Sequence, residues 1–140
     1  MTTRIATLLC LVVTVFTIAA AQTEPVLTSV NMPKYPALAC QARVQGIVKL
    51  AFVLEANSSQ PKKLTLLSGD PLLVPAAVAN IQTWRFDNPN SLERRYYTTF
   101  EYRLSGRQLA TGQTKKLTVS FESFHKVEIV TDVYQSTADE

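Results

Sequence analysis

The chain has 140 residues, 14 of them basic and 11 acidic, for a formal charge of +3, with two cysteines, one histidine and four glycines. That length holds one domain. The basic residues are scattered except for the pairs Lys62-Lys63, Arg94-Arg95 and Lys115-Lys116. No stripe of charge with interleaved aromatics suits a nucleic-acid face, and each pair reads instead as a strand end or a blunted sheet edge.

Residues 1–21 read as a signal peptide. Arg4 is positive, Ile5 to Ala21 carries no charge, and Ala19-Ala20-Ala21 offers small residues for cleavage ahead of Gln22. An uncleaved anchor is the alternative, but the apolar stretch is shorter than the ~20 residues a spanning helix prefers. Cleavage removes Arg4 and leaves 13 basic against 11 acidic residues, a charge of +2. It also removes Cys10, so Cys40 has no partner for an intrachain disulfide. Cys40 is then a half-buried thiol without a role or an exposed thiol that links two copies.

Residues 22–34 contain Pro25 and Pro33 and form an extended lead-in. A first helix is expected over about 36–44, with Pro36 at its first position, a stripe of Tyr35, Leu38, Ala39 and Ala42, and Gly46 as its end. Strand one follows with strict alternation: Val48, Leu50, Phe52 and Leu54 on one face, Lys49, Ala51, Val53 and Glu55 on the other. The run from Asn57 to Pro61 is a turn. Strand two covers about 62–68, with Leu64 and Leu66 toward the core. Asp70 then caps a second helix with Pro71 at its first position. Leu73, Ala77, Ile81 and Trp84 make its buried stripe, and Pro75, one turn in, removes a helical hydrogen bond. The run from Asp87 to Asn90 stops it. Strand three spans about 95–104, and Ser105-Gly106 and Gly112 bound a loop. Leu117, Val119 and Phe121 alternate as a fourth strand; Val127, Ile129 and Thr131 mark a fifth. Residues 35–134 make the domain, and 135–140 are a frayed tail. The fold class is α+β, two helices packed on one face of a small antiparallel sheet, with extra C-terminal strands.

Catalytic chemistry has little support. His125 has no second histidine or cysteine with which to share a metal, and it reads as an exposed strand-end residue. The carboxylates are spread through turns and solvent faces, with no acid–base pair placed by a motif. Ser68-Gly69-Asp70 lacks a base and reads as capping chemistry, and no glycine-rich phosphate loop occurs. No enzyme, cofactor, nucleic acid or small-molecule substrate is expected.

One set of motifs carries more. Met32-Pro33-Lys34-Tyr35-Pro36-Ala37-Leu38-Ala39, then Gln45-Gly46, then Ser68 to Leu73 and Trp84-Arg85-Phe86 resemble, in order and spacing over about 31–104, the C-terminal domain of TonB. That periplasmic family hands inner-membrane energy to outer-membrane receptors. The resemblance implies a periplasmic protein-binding module linked to transport across the outer membrane. It implies that an extended receptor segment adds to the open edge of strand three, where backbone bonds supply affinity and alternate side chains supply choice. Tyr96, Thr98, Thr99, Glu101 and Arg103 would form that edge, with Thr98, Thr99 and Glu101 the most accessible. It further implies a lead-in contact through Asn31 and Met32, the second standing where the family carries glutamine. This chain lacks the long proline-rich segment of a full transducer, which implies a solitary domain. The alternative is a self-associating structural protein, a homodimer or a self-capped monomer. In it the edge is filled by the chain's own C-terminal strands and no energy is transduced.

Overall fold

The computed structural model describes residues 23–134; the expected signal peptide, Gln22 and the tail at 135–140 lie outside the described residues. Seven strands and two helices follow in chain order: β1 (Val26–Ser29), α1 (Ala37–Gln41), β2 (Gly46–Leu54), β3 (Lys62–Ser68), α2 (Val74–Gln82), β4 (Arg85–Asp87), β5 (Arg94–Leu109), β6 (Leu117–Phe121) and β7 (Lys126–Tyr134). Five strands form one sheet in the order β3-β2-β5-β7-β6, and β1 pairs with β4 in a separate two-stranded ribbon. The fold is α+β, as expected, but the sheet is mixed: β5 and β7 run parallel, while the other pairs are antiparallel.

The alternation of β2 sets the core. Val48, Leu50, Phe52 and Leu54 are fully buried and meet Ala39 of α1 and Ala77 and Ile81 of α2 in one cluster with Phe100 and Tyr102 of β5. Both helices therefore lie over one face of the sheet. Phe52 sits at the centre of an aromatic group, with ring centroids 5.6 Å from Phe86, 5.9 Å from Tyr96, 6.0 Å from Trp84 and 6.1 Å from Phe124. Such pairs add about 0.5–1.5 kcal/mol each beyond area burial.

Several expected boundaries move. Helix α1 has five residues rather than nine. Pro36 is its cap and not its first residue, and the left-handed backbone of Arg43 (φ 55°) ends it before Gly46. On so short a helix only Ala39 is buried; Leu38 is 67% exposed and Ala42 also faces solvent, so the expected stripe does not form. Leu66 pairs with Leu50 but is 50% exposed, because β3 is the sheet edge and no helix covers it. At the second helix, Asp70 caps an entry turn: its carboxylate accepts the Leu72 N–H at 2.8 Å, and its carbonyl accepts the Leu73 and Val74 N–H groups. The helix proper starts at Val74, so Pro75 stands in the first turn, where a missing N–H costs nothing. Its stripe of Leu73, Ala77, Ile81 and Trp84 is wholly buried, as the spacing predicts. Gly69 (φ 154°) joins β3 to this turn in a backbone conformation that side chains rarely adopt; a Cβ there would stand 3.0 Å from methyls of both Val48 and Val74, which would have to give by a few tenths of an ångström.

The lead-in and the segment after α2 pair with each other, Val26 opposite Asp87 and Leu27 opposite Phe86. Residues 85–87 are thus a strand and not the end of a helix. Strand β5 runs through the expected Ser105-Gly106 break; the irregularity appears instead as a register shift against β7 between Leu104 and Gln108.

Candidate functional site

Strand β5 is bordered by β2 on one side, over Arg94 to Tyr102, and by β7 on the other, from Thr99 to Leu109. The bare rim expected along residues 96–104 is therefore largely filled by the chain's own C-terminal strand. The Thr99 N–H donates to the His125 carbonyl at 2.9 Å. By the period of a strand, the backbone groups of Thr99, Glu101 and Arg103 turn toward β7, and those of Tyr96 and Thr98 turn toward β2.

The side chains are engaged as well. Tyr96 is half-buried against Phe52 and Phe124, and burial raises its phenol pKa. Thr98 is only 2% exposed, contrary to the expectation that it is among the most accessible, because its parity is that of Phe100 and Tyr102 on the core face. Among the described residues its hydroxyl has no hydrogen-bond partner, and neither does that of Tyr102. Glu101 and Arg103 stand on the opposite, helix-free face. There Glu101 pairs with Lys126 at 3.7 Å and with Arg103 at 4.0 Å, while Arg103 also holds Glu128 of β7. These exposed pairs are each worth little, about 0–1 kcal/mol. Their pattern is consistent with the parallel register of β7 on β5.

Where β7 begins, His125 closes the rim with its side chain. Its Nδ1 lies 3.1 Å from the Tyr97 carbonyl, its Nε2 meets the Glu24 carboxylate, and its ring lies 4.1 Å from that of Phe124. Beyond it, Thr23, Glu24, Arg94, Arg95 and Tyr96 line an open cleft of about 620 Å³. This short stretch of β5, before Thr99, has no β7 beside it. Among the described residues no group of three or more histidine, cysteine or carboxylate side chains is placed to hold a metal.

The lead-in is pinned to α2. The Asn31 carbonyl accepts from Asn80 Nδ2 at 2.8 Å, and the Asn31 N–H donates to the Thr83 hydroxyl at 3.2 Å. Asn80 also accepts the Trp84 indole N–H at 2.9 Å, which makes it the polar hinge between lead-in, helix and core. The sequence signal for this role is the place of Asn80, one helical turn before a buried tryptophan. Met32 projects beside this junction, exposed, over a cleft of about 230 Å³ lined by Asn31, Lys34, Ala76 and Ala79.

Cys40 is half-buried, with Lys115 Nζ 2.9 Å from its sulfur. Nearby, the Tyr35 hydroxyl donates to the Val44 carbonyl at 2.5 Å; burial, then Cys40, pushes its pKa up to about 12. Among the described residues no helix is long and apolar enough to cross a membrane.

Comparison with known proteins gives a family. No curated protein matches the chain. The solution NMR structure of the Pseudomonas aeruginosa TonB C-terminal domain is similar at 21% identity, covering 59% of this chain and 88% of that one with a TM-score of 0.47. The family model of the Gram-negative bacterial TonB protein C-terminal matches residues 31–104, from Asn31 of the lead-in to Leu104 of β5. That match spans more than half of the sequence, and the chain belongs to the TonB C-terminal family.

Proposed function

We propose that this chain is a non-enzymatic periplasmic protein-binding module, linked to TonB-dependent transport across the outer membrane, whose resting form keeps its receptor edge occupied by its own β7. In this reading residues 1–21 direct export, 22–34 form the lead-in, 35–134 form the binding domain and the last six residues are a tail. Membership of the TonB C-terminal family over 31–104 supports the transport link. The parallel pairing of β7 with β5 from Thr99 onward carries the closed edge.

Energetics argue against simple displacement. Removing β7 would uncover Val127, Ile129 and Val133, and Phe124 just before it, all buried. At about 1.5–3 kcal/mol per side chain this amounts to roughly 6–12 kcal/mol, comparable with the entire stability of a small domain. A short receptor segment would have to replace both the ladder and that packing. Without displacing β7, strand addition has open to it the short stretch before Thr99, beside Thr23 and Glu24, and the outer edges of the sheet.

The closed edge also favours the second reading, a self-capped interaction protein that takes no part in energy transduction. Titrating the isotope-labelled protein with synthetic peptides from the N-terminal segments of outer-membrane receptors separates the two. The transport-linked reading expects amide shifts along Arg95–Tyr97, the lead-in or an outer strand, with β7 amides still protected from exchange. If no such peptide perturbs any amide at millimolar excess, the transport link falls and the self-capped reading stands.

A further inference from the structure

The two outer edges of the five-stranded sheet differ in how they meet solvent. Strand β3 begins after Pro61 with two lysines, Lys63 has left-handed backbone (φ 50°), and the register against β2 is broken twice. Charge and bulges of this kind blunt an edge. Strand β6 has none of these devices. It reads Leu-Thr-Val-Ser-Phe, carries no charge, proline or glycine, and pairs with β7 in unbroken register from Leu117 opposite Thr131 to Phe121 opposite Val127.

Its free backbone groups can be assigned. The Asp132 N–H donates to the Lys116 carbonyl at 3.1 Å, and the Glu122 N–H donates to the Lys126 carbonyl at 3.0 Å. Residues 116, 118, 120 and 122 therefore turn their backbone toward β7. Leu117, Val119 and Phe121 turn theirs outward, where among the described residues no strand meets them. The side chains of those same three residues lie on the core face, opposite Thr131, Ile129 and Val127. Val119 packs against the core, while Leu117 and Phe121 remain 39% and 37% exposed.

We propose that β6 is a homodimer interface, taking β6 of a second copy in antiparallel register centred on Val119 and joining two five-stranded sheets into one. Strand β6 is self-complementary about that centre. Val119 faces Val119 of the second copy, Leu117 faces its Phe121, and Thr118 faces its Ser120. The outward residues then meet as hydrogen-bonded pairs, about six backbone bonds in all, and the two half-exposed apolar side chains cover each other across the seam. Just beyond the strand, Lys116 falls opposite Glu122 of the second copy at both ends. The Glu122 carboxylate is largely exposed and, among the described residues, reaches only Lys126, at 3.8 Å. A shift of the seam by one residue would set inward-turned amides against outward-turned ones, and a shift by two would separate Lys116 from Glu122. The occupant is a second copy because sequence, backbone parity and end charges all match in one register. The seam lies outside residues 31–104, so it does not depend on receptor segments binding, and a segment added to β6 itself would compete with the dimer.

The test is the concentration dependence of mass, by sedimentation or light scattering, on protein purified from expression of the full-length chain. Reductant is present throughout, so that Cys40 links nothing. A reversible monomer–dimer equilibrium is expected, with Kd in the micromolar to sub-millimolar range that fits an interface below ~1,200 Å². Val119→Pro removes an outward N–H that the monomer does not use, a place where an edge strand tolerates proline. It should weaken Kd at least tenfold. Glu122→Lys alters only an exposed end and should weaken Kd severalfold, with Lys116→Glu added to it restoring the wild-type value. Protein that stays monomeric to about 1 mM would overturn the proposal, leaving β6 free for a foreign strand. So would a dimer indifferent to all three variants.

Discussion

If β7 is part of the core rather than a latch over β5, damage to it must be felt by the rest of the domain. Ile129 is fully buried within the cluster that includes Val48, Phe100 and Trp84. Ile129→Ala removes most of an aliphatic side chain from a packed site, which costs about 2–5 kcal/mol depending on how far the cavity collapses. Trp84 is the only tryptophan; it stacks on Phe100 at 5.9 Å and packs edge-on to Phe52, and none of its ring partners is on β7. Its fluorescence therefore reports chiefly the body of the domain. With a urea slope of about 1–3 kcal/mol per molar, a loss of about 3 kcal/mol moves the unfolding midpoint down by roughly 1–3 M. The assay is a urea titration followed by Trp84 emission and, in parallel, by far-ultraviolet dichroism. Coincident curves, both shifted by that amount, are expected. A Trp84 midpoint unchanged within about 0.3 M, with an early transition seen only by dichroism, would mean that β6 and β7 peel off independently. A receptor segment could then displace β7 without unfolding the body of the domain.

Asn80→Ala should lower stability by about 2–4 kcal/mol, because it strands the buried Trp84 N–H and frees the Asn31 carbonyl; a change below 0.5 kcal/mol in chemical denaturation would remove Asn80 as the hinge of the lead-in. Tyr102→Phe should leave the melting temperature unchanged or raise it, since the buried hydroxyl it deletes has no partner among the described residues; a loss above 1 kcal/mol would show an unrecognised bond. Asp132 is held below its ordinary 3.8 by the Ser105 hydroxyl first, then the Lys116 N–H, against the opposing effect of burial. A carboxylate with a lowered folded pKa contributes stability above its unfolded value and loses it as pH falls through the folded one. Melting temperature should therefore drop on acidification below about pH 4, with a shallower acid limb in Asp132→Asn; equal slopes for the two proteins count against the assignment.

Much of the fold was legible in the chain because it rests on local periodicity. The period-two run of β2 and the Leu73–Trp84 spacing each named a buried face that the tertiary structure uses unchanged. The C-terminal strands were visible in the same way, at Leu117–Phe121 and from Val127 on. Boundaries at α1 and Pro75 were less legible. A helix of one turn has no period to read, and a proline at a start resembles a proline inside.

The candidate site is another matter. Side-chain alternation along Tyr96 to Arg103 is the same whether the strand's second edge is bare, meets a receptor or meets its own C-terminus, since backbone pairing leaves no mark in side-chain order. The chain by itself therefore determined the family, the two helices and the five strands of the main sheet, but not the β1–β4 ribbon. Only the tertiary structure decided that β7 lies parallel to β5, that Thr98 faces the core, and that the unprotected rim has moved outward to β6. Those outcomes depend on which distant segment wins an edge. That competition is settled by burial of Val127, Ile129 and Phe124 together with the body of the core, which no local window of sequence contains.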